Sequence, residues 1–211
     1  MALKDKLKGL PRVYYFNNNK VLDEHMDRSL SNLDVMDYSC MRIKYTSENI
    51  SEWKDLILNR SDYKLPVSVA GFSISVLEFL KDWLDVTEQD QDPELIIMRD
   101  TIDWEVAQTD LSYTWDFDWK YIHSRLPYDW DCFQFGFENL HYIPFYLHQI
   151  MPATTFGPSL LNRRYVKKLV RLHYKDGKYD LNGKIANLNF GLKSGTVDYF
   201  IGHNGKIILT I

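Results

Sequence analysis

Apolar positions along the chain switch repeatedly between two periods, and the switches outline an α/β protein. Residues 12–17 (RVYYFN) form a β-rich run that opens into the turn-forming triplet Asn17-Asn18-Asn19. Leu22, Met26, Leu30 and Leu33 then recur at helical spacing among Asp, Glu, His and Arg, and 39–45 is a second short strand. Strand, helix and strand in succession predict a parallel pair joined by a right-handed crossover. Ser51 is placed to cap a short helix over 51–58. Ile74, Leu77, Leu80 and Leu84 mark a further helix, and 94–98 is an apolar strand that delivers Arg99 and Asp100. Trp115, Trp119 and Ile122 share one face of a helix over 113–125, which Pro127 ends.

The second half is read in the same way. Residues 131–137 are β-rich, 153–157 make a short strand, and 159–172 form the clearest amphipathic helix of the chain. Asp176-Gly177, Asn182-Gly183 and Asn204-Gly205 are turn signals. The last of them predicts a terminal hairpin of 197–201 with 207–211, whose edge offers a route to pairing with another copy. The expectation is one α/β domain over 12–211 behind an N-terminal tail, 1–11. Its central sheet is mostly parallel and flanked by helices, with a C-terminal hairpin.

Composition narrows the function classes. Hydrophobic residues make up 45% of 211, enough for a substantial core. The formal net charge of −4 argues against a nonspecific nucleic-acid binder, so no nucleic-acid partner is expected. The one basic segment, Arg163, Arg164, Lys167, Lys168 and Arg171, alternates with apolar residues as a solvated helix face would; an anionic substrate is its other use. With 14 Tyr, 11 Phe and 6 Trp, the chain has aromatic side chains for packing and for glycan or protein recognition. Cys40 and Cys132 read as buried free thiols of a reducing compartment. No run approaches the ~20 apolar residues of a membrane span, and the charged start is unlike a secretory signal. A cytoplasmic protein is expected, in a host cytoplasm if the source is viral.

Candidate chemistry centres on carboxylates. Asp100, Asp103 and Glu105 follow the strand at 94–98, and Asp129 and Asp131 flank the next one. Carboxylates near strand ends can hold a divalent cation or deprotonate an acceptor hydroxyl; equally, Asp is common in turns and caps. The six histidines are dispersed, and there is no glycine-rich phosphate loop or GxSxG elbow.

The order of segments resembles glycosyltransferase family 25, the group of lipooligosaccharide and collagen galactosyltransferases. Phe16-Asn17-Asn18-Asn19 and the helix bearing Arg28 are similar to that family's "INLD" strand and following arginines. Ile74-Ser75-Val76 resembles its "lSH", and Arg99-Asp100-Thr101 aligns with its "EDD". The segment 126–136 (LPYDWDCFQFG) closely resembles "lP.dWDilqLG", 162–170 resembles "tr.yAkkLl", and Val197-Asp198 the late "vD". The resemblance spans about 13–200. It implies a GT-A-type nucleotide-diphospho-sugar transferase fold and inverting transfer of a sugar from a UDP-sugar to a hydroxyl of a glycan or other macromolecule, assisted by Mn²⁺ or Mg²⁺.

The residues so implied are Asp100 and Asp131 for catalysis, Asn17, Arg28, Arg99 and Asp129 for the donor, and Asp100 for the metal. The chain departs from the family where the metal would sit. Arg99 and Thr101 replace two acidic residues, and Val76 replaces a histidine. An Arg can bind a diphosphate bidentately and so replace the metal. The alternative readings are a catalytically degenerate glycan-binding or assembly protein that keeps the fold, and a hydrolase using Asp100 with Asp131.

Overall fold

The computed structural model describes residues 2–58, 66–98, 118–135, 148–150, 158–181 and 208–210. Within them a sheet of seven strands is ordered β2-β1-β3-β6-β4-β9-β5. The strands are β1 (Val13–Phe16), β2 (Tyr38–Met41), β3 (Glu94–Met98), β4 (Cys132–Gln134), β5 (His148–Ile150), β6 (Ser159–Asn162) and β9 (Ile208–Thr210). A separate short hairpin joins β7 (Tyr174–Lys175) to β8 (Lys178–Tyr179). Strands β1, β2 and β3 are parallel; β6 runs against β3 and β4, β9 runs with β4, and β5 runs against β9. Most strands therefore point one way, and the sheet has a common carboxyl edge and a common amino edge.

Helices cover both faces, and the period-2 alternation of the strands explains why. Tyr14, Phe16, Leu95, Ile97, Cys132 and Leu161 point to one face, where they meet α4 (Val67–Val86) and α6 (Arg163–His173). Val13, Tyr15, Ile96, Met98, Phe133 and Leu160 point to the other, against α2 (Lys20–Asn32) and α5 (Trp119–Arg125). Burial on both faces makes these strands read as near-continuous apolar runs. The short N-terminal helix α1 (Leu3–Lys6) leads to Leu7, which is buried in the second of these clusters.

The β-α-β opening forms as expected, with α2 crossing between β1 and β2. Asn19 caps α2 through a hydrogen bond accepted from the Val21 N–H. Helix α3 (Ile50–Trp53) and the following 3₁₀ turn Lys54–Leu56 replace the single helix expected over 51–58, and Asn49 rather than Ser51 occupies the cap position. At Asp176-Gly177 the expected tight turn closes the β7–β8 hairpin, both residues having positive φ.

Two expectations are corrected. Residues 159–162 are strand β6, not the first turn of a helix: Leu160 and Leu161 are both fully buried, on opposite faces. The helix begins only at Arg163, because the Asn162 side chain accepts from the Tyr165 N–H at 2.8 Å and caps it there. The second correction concerns the C-terminal hairpin. Strand β9 has β4 on one side and β5 on the other, so neither of its edges is open to residues 197–201. The strand expected at 153–157 lies outside the described residues. Among the described residues no helix is long and apolar enough to cross a membrane.

Candidate functional site

The chain passes from β1 to β2 on one side and then to β3 on the other, so β1 marks a topological switch point. In open α/β sheets ligands bind in the crevice outside the strands' carboxyl ends at such a point. Asn17 immediately follows β1 and is 6% exposed. Its Nδ2 donates to the Asn19 carbonyl at 2.7 Å and to Asp23 Oδ1 at 2.8 Å, while its Oδ1 accepts from the Asn19 N–H at 2.9 Å. The amide is thus committed to shaping the β1–α2 turn. Asn17 positions this loop rather than reaching out from it.

Asp23, in the first turn of α2, gathers the rest of the network. Arg42, just past β2, donates to Asp23 Oδ2 at 2.5 Å and to the Asn17 carbonyl at 2.9 Å. The Cys40 thiol lies 3.2 Å from Asp23 Oδ1. Partial burial works to raise the Asp23 carboxyl pKa, but hydrogen bonds from Arg42, Cys40 and Asn17 outweigh it and hold the group below its ordinary value. Cys40 is pushed the other way, to about 11, by burial and then by its hydrogen bond to Asp23. It therefore stays a thiol at neutral pH and is not a nucleophile. Arg42 keeps half of its side chain exposed at this edge.

The loop after β2 is held in place by α4. Lys44 and Tyr45 both donate their backbone N–H to Ser75 Oγ, at 3.2 and 3.3 Å, and Ser75 in turn donates to the Gly71 carbonyl. A Cβ on Gly71 would stand 2.1 Å from the Tyr45 carbonyl oxygen, so only glycine allows this approach. Ser75 lies in mid-helix and acts as a clasp. Asn18 completes the frame by exchanging side-chain hydrogen bonds with the Ile43 backbone.

A second constellation lies at the opposite edge. Asp131 directly precedes β4, and the register of β4, β6 and β3 places it level with Glu94, at the start of β3. Asp129 and Asp131 therefore sit at the amino edge, across the sheet from Asn17. Arg164 donates to Asp131 Oδ1 at 3.3 Å, to the Trp130 carbonyl at 3.0 Å and to the Asp129 carbonyl. Asn162 also donates to the Trp130 carbonyl, so the loop is stitched to the start of α6. Asp129, Asp131, Arg164, Lys168 and Arg171 line a cleft of about 390 Å³.

The residues singled out from sequence do not form one group. Asn17 is at the carboxyl edge; Asp129 and Asp131 are at the amino edge; Arg28 is an exposed residue of α2 whose Nε donates to the Glu24 carbonyl of its own helix. Arg99, Asp100, Asp103 and Glu105 lie outside the described residues. Sequence reading missed Asp23 and Arg42. Their signal was a carboxylate in the first turn of one helix and an Arg at the end of the next strand, which parallel pairing brings together. It also grouped Arg163 with the solvated cations. Arg163 is instead buried, donating to the Leu84 and Thr87 carbonyls at 2.9 and 2.6 Å and lying over the Trp83 ring, where it closes the end of α4.

Neither described carboxylate group fits Mn²⁺ or Mg²⁺. Asp23 is saturated by a guanidinium, a thiol and an amide, and the Asp129–Asp131 cleft is lined by three cations, whereas a hard cation requires several free oxygen ligands. Among the described residues no group of three or more His, Cys, Asp or Glu is arranged to hold a metal. Cys132, fully buried, has its thiol pKa raised by burial and by Asp131 and is chemically inert. No protein-family model matches the chain, and a search of the curated proteins finds no match.

Proposed function

We propose that the chain is a glycosyltransferase-like protein of GT-A type that takes a sugar from a UDP-sugar to a hydroxyl of a glycan or other macromolecule, with the donor at the carboxyl edge. The observation that carries this reading is the rigid polar frame at the switch point: Asn17, Asp23 and Arg42 hold the loops after β1 and β2 beside the end of β3. Such a frame offers turn backbone groups to a nucleotide and an Arg to its diphosphate. The segment resemblance to family 25 supports the same assignment, since its Asn17 and Arg99-Asp100 markers follow β1 and β3. Asn17 sets the loop and Arg42 joins Arg99 as a diphosphate ligand. Asp100 serves as the acceptor base, and no step is routed through a metal.

A thermal-shift series with UDP-galactose, UDP-glucose and UDP, with and without Mn²⁺, tests donor binding. A ligand held only by the folded state at 100 times its Kd stabilises by about 2.7 kcal/mol. The reading expects a rise in Tm with a UDP-sugar that does not require Mn²⁺ and that weakens in Arg99→Ala and Arg42→Ala. No shift with any of the three ligands contradicts it.

The second reading is a glycan-binding or assembly protein that keeps the fold without catalysis. One observation favours it: the carboxylate described at this edge, Asp23, is neutralised by Arg42 and is spent as a general base. Donor binding without turnover, unaltered in Asp100→Asn, would select this reading over the first.

A further inference from the structure

The sheet ends at β2, whose outer side has no strand beside it among the described residues. The Val13 N–H donates to the Asp37 carbonyl and the Asn17 N–H to the Met41 carbonyl, both at 3.0 Å, so Asp37, Ser39 and Met41 turn their backbone groups toward β1. Tyr38 and Cys40 therefore direct an N–H and a C=O each away from the sheet, and among the described residues no hydrogen bond engages these groups. Their side chains pack on the α2 face of the sheet, whereas Met41 packs on the α4 face. Native sheets commonly blunt such an edge with Pro, Lys or a bulge. Tyr38–Met41 has neither residue and pairs with β1 one for one, without a bulge. Asp37 and Arg42, which flank the strand, carry opposite charges at its opposite ends, and Met36 before it is 73% exposed.

We infer that β2 is a dimer interface, pairing antiparallel with β2 of a second copy about a twofold axis through Ser39. Two requirements fix this register. The outward groups must exchange hydrogen bonds, and each face of the joined sheet must remain continuous. Setting Tyr38 opposite Cys40 of the second copy meets both, with four N–H···O=C bonds across the axis. Among antiparallel registers that keep the faces continuous, it alone engages both Tyr38 and Cys40 with residues of β2 itself. The antiparallel sense also lays the Asp37 end of one copy beside the Arg42 end of the other, so opposite charges approach. The contact is isologous and closes as a dimer instead of growing into a filament. It sets Met36 of the second copy opposite Arg42, at the border of the frame around Asn17. The pairing itself requires no UDP-sugar.

Sedimentation velocity of the full chain under reducing conditions, across a concentration series, tests the inference. The chain is expected to pass from a species of 25.0 kDa to one of twice that mass as concentration rises. Cys40→Pro removes an outward N–H at a position where an edge strand tolerates proline, and is expected to abolish the dimer. Cys40→Ala keeps that N–H and is expected to retain it. The register is read separately from Ser39→Cys in the Cys40→Ala background, which sets two thiols opposite each other at the axis. Mild oxidation should cross-link this variant about tenfold faster than Asp37→Cys in the same background, whose position faces Met41 of the second copy. A chain that stays monomeric throughout the series overturns the inference and leaves the edge to a strand of another protein. A dimer that survives Cys40→Pro, or equal cross-linking from positions 37 and 39, overturns it as well. Circular dichroism of each variant separates lost association from lost folding, and the cross-linking comparison decides the matter if Cys40→Pro does not fold.

Discussion

The two edges of the sheet use the same residue types in different arrangements. At the carboxyl edge Asp23 and Arg42 meet at 2.5 Å, and Asn17 and the Cys40 thiol also donate to Asp23. At the amino edge Asp131 and Arg164 also pair, and Lys168 and Arg171 line the same cleft. The first network ties together the loops after two strands; the second ties one loop to the helix beside a cleft. Counting acidic and basic residues would not distinguish them, whereas the fate of each donor and acceptor does.

The comparison breaks most severely from behind, through α4. Gly71→Ala forces the Tyr45 carbonyl away from α4 and should cost about 3 kcal/mol, with the loop bearing Arg42 displaced as well. Chemical denaturation should show a lowered midpoint, and an unchanged midpoint would mean that the clasp does not hold the loop. Asp23→Ala comes next, at about 2 kcal/mol near pH 7, because Asn17 and Cys40 lose their acceptor. The Asp23 pKa is lowered in the folded state, so its contribution is present above the ordinary carboxyl value and is lost as pH falls through the folded one. The gap between unaltered and variant chains should therefore narrow toward pH 3.

The amino edge should respond in the reverse sense. Lys168→Ala/Arg171→Ala, on a helix face that lines the cleft, is expected to leave stability within about 0.5 kcal/mol. A large loss in urea melts would show these cations to be structural. The smallest effect belongs to His123, whose pKa is raised by its hydrogen bond to Glu94 against the opposing effect of burial. A raised pKa means that this pair stabilises fully below the ordinary histidine value and fades as pH climbs through the folded one. Glu94→Gln should lower Tm more at pH 5.5 than at pH 8.5; an equal loss at both would assign the effect to packing.

Much of the architecture was legible in the apolar pattern. The alternation of Val13 and Tyr15 against Tyr14 and Phe16, and the helical spacing of Met26 and Leu30, announce a sheet between helices. Strand β6 was misread because Leu160 and Leu161 are adjacent and both buried. A doubly buried strand has no period of its own, and the helix that follows lends it one. The site was less legible, since Asp23–Arg42 and Asp131–Arg164 are long-range pairs made by strand register. Register also puts Asp131 at the start of its strand and Asn17 at the end of another, so two polar clusters that looked alike in sequence stand on opposite edges.

The claim that the carboxyl edge is the donor site is tested most directly by ¹H–¹⁵N NMR of the full chain titrated with a UDP-sugar. The account predicts saturable shifts at the amides of Asn18, Asn19 and Arg42, with those of Trp130, Asp131 and Arg164 unmoved. Shifts confined to the second group, or none in either, would contradict it.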